Sequence, residues 1–154
     1  MKKRVVALFL ALMFSVTGMI AGEGKVCAEE SAQDVEISEV WTEDALVGYA
    51  ESQTWGVYLE EGISIINNAG GGKIGCGGIT EAAVKCKVSC SAIVEKKVNG
   101  SWTRVTSWTT TNASAYSAIV SKTLSVASGY YYRVRCTHSA STDTSSSYTS
   151  ALWM

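Results

Sequence analysis

His138 is the only histidine in the chain, and with Asp143 and the many serines near it a hydrolase triad can be drawn. A triad needs a marked nucleophile, and no serine lies in the glycine-flanked elbow that would expose one. Glycoside cleavage needs two carboxyl groups on either side of one bond. Beyond residue 61 the chain offers only Glu81, Glu95 and Asp143, and Glu95 has a basic partner in the hairpin described below. Lys73, in the glycine-rich run NNAGGGKIGCGG (67–78), precedes Ile74 where a phosphate loop needs Ser or Thr. Neither catalysis nor a cofactor is expected.

Cysteine is the other reactive type. Of five cysteines, Cys27 falls in the leader, leaving Cys76, Cys86, Cys90 and Cys136. An even number in an exported domain predicts two disulfides. Cys86 and Cys90, four residues apart on one strand, are about 13 Å from each other, too far to bridge. Either Cys76–Cys86 with Cys90–Cys136, or Cys76–Cys90 with Cys86–Cys136, is left. A chain reversal expected near Thr80–Ala83 favours the first. The same spacing argues against a zinc site, and no metal is expected.

The leader is read from Lys2-Lys3-Arg4, the apolar run Val5–Ile20 and the small residues after it. These are the three regions of a secretory signal peptide, with cleavage expected after Ala28. Secretion, with no membrane anchor after cleavage, is the predicted location. The mature chain is then split by charge. Residues 29–61 carry ten carboxylates and no Lys or Arg, whereas residues 62–154 hold nine basic residues against three acidic ones. The acidic stretch reads as a spacer over 29–54, with an amphipathic turn around Val40-Trp41 and Ala45-Leu46-Val47.

Residues 55–154 read as one β domain centred on Val84–Trp108. Val84, Cys86, Val88, Cys90, Ala92 and Val94 alternate as one apolar face. Asn99-Gly100 supplies a two-residue type I′ turn. That turn sets Val98 against Ser101, Glu95 against Arg104 and Val94 against Val105. Shorter strands are expected at Gly56–Leu59, Ile63–Ile66, Lys73–Thr80, Ala115–Val126, Tyr130–His138 and Tyr148–Met154, with a Ser/Thr-rich turn at Ser139–Ser147. About seven strands with turns between them predict an all-β, two-sheet antiparallel sandwich.

Alternation also defines a candidate surface. With Val88 and Val134 facing the core, Lys85, Lys87, Tyr131, Arg133 and Arg135 face outward, joined by Lys97, Trp102, Arg104 and Trp108 from the hairpin. Like charges so close on one sheet call for an anionic partner. The rings could stack on sugars, so cell-wall or surface anionic polymer or glycan is the expected ligand, with no nucleic acid.

Two resemblances add to this. Leu124-Ser125-Val126, Gly129 and Tyr132-Arg133-Val134-Arg135-Cys136 look like the corner of immunoglobulin-like and fibronectin type III domains, where a tyrosine hydroxyl anchors the preceding loop. A broader set resembles an uncharacterised family of small exported proteins from Gram-positive, clostridial-type bacteria. It comprises Gly56-Val57-Tyr58-Leu59, Gly72-Lys73-Ile74-Gly75 with Gly78 and Thr80, Val94-Glu95, Gly100-Ser101-Trp102, Gly129–Arg135, His138-Ser139-Ala140 and Tyr148–Trp153. That resemblance implies export and an all-β form, and no activity. The expected role is a non-catalytic binding module; a secreted antimicrobial or toxin-like effector and a cell-wall hydrolase are the alternatives.

Overall fold

The computed structural model describes residues 42–50 and 56–154. The predicted signal peptide, Val40-Trp41 and Trp55 lie outside the described residues. Among the described residues seven strands form: β1 (Leu46–Tyr49), β2 (Leu59–Gly70), β3 (Lys73–Val98), β4 (Ser101–Ser125), β5 (Tyr131–Ala140), β6 (Asp143–Tyr148) and β7 (Leu152–Trp153). Every pairing is antiparallel. The sheet begins before residue 55, because β1 pairs with β2 from Leu46 opposite Ile66 to Tyr49 opposite Ile63.

The all-β, antiparallel expectation holds, but in its hydrogen bonding the protein is one sheet folded over itself. The order is β1-β2-β3-β5-β6, with β4 on the other side of β3 and β7 on β5. β3 runs through both halves: Lys73–Ala82 pairs with β2, and Val88–Lys96 with β5. β4 follows β3 along nearly its whole length, with register breaks between Glu81 and Val88. The chain reversal expected at Thr80–Ala83 is therefore absent, and two expected strands are one. At the far side β1 meets β6, where Gly48 lies against the Tyr148 carbonyl, so the sheet is nearly barrel-like.

Alternation places the core as expected from Val88 onward, whereas Val84 is 44% exposed and Cys86 only half-buried, where the β3–β4 register breaks. Val88, Cys90, Ala92 and Val94 of β3 and Tyr132, Val134 and Cys136 of β5 are buried between the halves with Ile66, Ile74 and Cys76. Full burial of each aliphatic side chain contributes about 1.5–3 kcal/mol. The Tyr132 hydroxyl donates to the Ala127 carbonyl at 2.9 Å, the loop anchor that its sequence context suggested.

The β3–β4 turn is also as expected. Asn99 (φ 49°) and Gly100 (φ 83°) both adopt positive φ, and Val98 faces Ser101. Valine at position 100 would bring a branched Cβ into this region, so Gly100→Val should cost about 1–2 kcal/mol. A urea midpoint unchanged by the substitution would contradict this turn geometry.

Three expectations are corrected. First, Glu95 pairs with Arg104, but Val94 then pairs with Thr106, so Val105 is an extra residue in a β-bulge and is 48% exposed. One inserted residue reverses the facing of everything after it. Second, most of the turn expected at Ser139–Ser147 is strand β6. The reversal is confined to Ser141-Thr142, where Ser141 has φ 51°.

Third, the cysteines are free thiols. Cys76 and Cys86 lie ten residues apart on one continuous strand. Cys90 opposes His138 while Cys136 opposes Ala92, a diagonal relation rather than a direct one. Diagonal neighbours stand roughly 7–8 Å apart along the backbone, at or beyond the Cα reach of a bridge, and the two thiols meet instead as a hydrogen-bonded pair. Cys76 donates to the Lys122 carbonyl at 3.2 Å, and Cys136 to that of Gly77 at 3.5 Å. Burial pushes the Cys76 thiol up to about 12, which leaves it protonated and inert.

Candidate functional site

The outward face of β4, β3, β5 and β6 is built in rows, because register aligns residues of equal height across the strands. Nearest the Asn99-Gly100 turn, Trp102 opposes Lys97, and on the neighbouring strands Tyr131 opposes Trp153. The next row is Arg104, Glu95 and Arg133, followed by Ser107, Ile93, Arg135 and Tyr148.

Glu95 organises this end. Its side chain is 10% exposed, and its carboxylate takes Arg133 Nε at 2.7 Å and Arg135 Nε at 3.5 Å. A carboxylate so buried requires cationic partners. The sequence assigned it Arg104, whose guanidinium instead donates to the Ser107 hydroxyl. Arg133 Cζ lies 4.3 Å from the Trp102 ring centre and 5.6 Å from that of Tyr148. Its guanidinium thus lies over two aromatic rings while one edge is pinned by Glu95. Lys97 Nζ approaches Trp102 at 5.8 Å, and Tyr131 packs edge-on to Trp153 with centroids 4.8 Å apart. Lys97, Arg104, Arg133 and Arg135 against Glu95 leave this end cationic.

Of the expected surface residues, Lys97, Trp102, Arg104, Tyr131, Arg133 and Arg135 are brought together. Trp108 is not. Beyond the bulge it faces inward opposite Ala92, packs on the core and has Lys122 Nζ 5.4 Å from its ring centre. Lys85 and Lys87 are exposed but stand near the middle of β3, away from the cluster. Lys87 is six residues from Ile93, the residue opposite Arg135, or about 20 Å along the strand. Tyr148 and Trp153 join the cluster unforeseen. The alternation Thr144, Ser146, Tyr148 was the available signal, hidden by reading the segment as a turn.

On the other half of the sheet two carboxylates face each other. Glu61 opposes Glu81 across β2 and β3. Burial, then neighbouring carboxylates, raise both above the ordinary glutamate range.

His138 belongs to the core. It is fully buried, its Nδ1 lies 2.8 Å from Thr80 Oγ1, and its Nε2 lies 2.8 Å from Ser147 Oγ. The Thr80 hydroxyl donates to the Ser89 carbonyl, so it accepts from Nδ1–H. Nε2 then accepts from Ser147, whose oxygen also meets Ser64 Oγ. This chain of hydrogen bonds ties β2, β3, β5 and β6 together. Burial lowers the His138 pKa to about 4. Asp143 does not orient it: that carboxylate accepts from the backbone N–H groups of Tyr58 at 2.7 Å and Leu59 at 3.1 Å. Among the described residues, no group of three or more His, Cys, Asp or Glu side chains could hold a metal ion.

The fold and face define an all-β protein, seven antiparallel strands nearly closed on themselves, with a cationic aromatic cluster on one outer face. The chain belongs to a family of unknown function, DUF6147, whose model matches residues 29–152. No curated protein matches it. Among solved structures it is similar to the solution structure of R. palustris CsgH, at 17% identity and a TM-score of 0.37, over 68% of this chain and 91% of that one. A likeness of that size transfers nothing to this chain.

Proposed function

We propose that this is an exported, non-catalytic module that binds anionic polysaccharide through the cluster of Trp102, Arg133, Arg135 and Tyr148. The carrying observation is Arg133, held by Glu95 and lying over the rings of Trp102 and Tyr148 on an outer face. Holding a guanidinium in place before binding lowers the ordering cost of engaging an acidic group. Exposed ring faces beside it suit sugar C–H edges. Export rests on the basic, apolar and small-residue order of the leader.

Polygalacturonate immobilised on beads is a direct probe. The mature protein should be retained at low salt, released as salt rises, and ignored by neutral dextran beads. Trp102→Ala and Arg133→Ser, each checked for folding, should each weaken retention by about tenfold or more, as expected of aromatic and arginine anchors. Retention unchanged in both variants would reject this face as the site.

A further inference from the structure

Beyond the arginine cluster, the same outer face changes character. The next row comprises Thr109, Ser91, Thr137 and Ser146, and the one after it Thr111, Ser89, Ser139 and Thr144. Four adjacent strands thus present hydroxyl side chains at two successive heights. Thr109, Thr111, Thr137, Thr144 and Ser146 are exposed, and the remaining three are half-buried. Ser91 and Thr109 hydrogen-bond across strands at 2.7 Å. Not one of the eight is charged, although charge is the ordinary device for keeping an open sheet face soluble.

We infer that these two hydroxyl rows are the extended subsite of a polysaccharide chain whose acidic group sits at Arg133 and Arg135. This rests on the binding reading above and adds to it the length and course of the ligand. A hydroxyl both donates and accepts, so a row of them matches the mixed donors and acceptors of neutral sugar hydroxyls. Short Ser and Thr side chains also lose little rotamer freedom on binding. From Glu95 to Ser89 is six residues, about 20 Å along the strand. A ligand must be that long to touch both ends. The cationic end selects an acidic group, and the uncharged rows accept what an acidic polypeptide lacks, a continuous run of ring hydroxyls.

Oligogalacturonates of graded length test this with the mature protein by calorimetry. Affinity should rise with length until the chain spans about 20 Å, then level off. The variant Thr109→Val/Thr111→Val/Thr137→Val keeps side-chain shape and suits strands. It should weaken the long oligomer about tenfold, as loss of several net hydrogen bonds implies, and should leave the shortest binding oligomer unaffected. The single variant Thr137→Val should show a smaller loss of the same kind.

Binding that depends on Trp102 and Arg133 but not on length or on the threonines would overturn the extended subsite and spare the cluster. Absence of any binding would overturn both readings. Polyglutamate bound as tightly, with the same threonine dependence, would overturn the carbohydrate assignment.

Discussion

Replacing Gly78 with alanine should lower the melting temperature by roughly 10 °C, corresponding to about 1–3 kcal/mol for a methyl group forced into a packed interior. Gly78 lies in β3 where the two halves of the sheet face each other. A Cβ there would stand 2.7 Å from the Ile63 carbonyl oxygen and 3.2 Å from Cys90 Sγ, and would collide with Cys136 Sγ. The carbonyl belongs to the β2 backbone, which cannot yield as the end of a flexible side chain can. Both thiols are also enclosed: Cys90 and Cys136 are wholly buried. Differential scanning calorimetry of the wild type and variant is the check. A Gly78→Ala melting point within a degree or so of wild type would mean that the halves are not this close.

Acid should loosen the fold through His138. Its folded pKa of about 4 lies below the ordinary 6.5. Above pH 6.5 neither state is protonated, and the full contribution is present. Between pH 6.5 and about 4 the unfolded chain binds a proton that the folded protein refuses, so stability falls with pH. The loss should approach about 3 kcal/mol by pH 4. Among the described residues no charged side chain bonds to the ring; its partners are the hydroxyls of Thr80 and Ser147, with Cys90 Sγ 3.9 Å from Nδ1. Glu61 and Glu81 act in the opposite sense. Their raised values mean that protonation favours the folded state as pH falls toward 4.5. The comparison is therefore between wild type and His138→Gln, with urea unfolding at several pH values. The variant should lack the decline seen from pH 6.5 downward, whatever its stability at neutral pH. Parallel pH profiles for the two proteins would show that the imidazole is not held neutral.

Local rules made much of the framework readable. Val88–Val94 alternate because one face of the strand is buried, and Asn99-Gly100 tolerates the positive φ that a two-residue hairpin needs. From that turn the register can be counted residue by residue to Glu95 and Arg104, and the structure has that pair. Counting fails one step later. Val105 is an added residue, and because side chains alternate with period two, a single insertion carries Trp108 from the outer face to the core. The apolar pattern of the returning strand is too sparse to reveal it: Thr103, Val105, Thr106 and Thr109 are acceptable on either face.

The site divides along the same line. Composition and alternation placed Arg133, Arg135, Tyr131 and Trp102 on an outer face, because charges and ring edges avoid the interior and a strand has only two sides. Alternation could not choose the partner of Glu95 among Arg104, Arg133 and Arg135, since all three are its neighbours across β4 and β5. Nor could it bring Tyr148 over Arg133, which depends on β6 pairing beside β5. Cysteine number implied bridges, whereas the continuity of β3 and the diagonal placing of Cys90 and Cys136 leave the thiols free. Side-chain chemistry thus determined the buried face of β5, that of β3 from Val88 onward, and where the main hairpin turns. Bulge position, the folding of one sheet over itself and the partners of each charge were decided only in the tertiary structure, because each depends on contacts between strands distant in the chain.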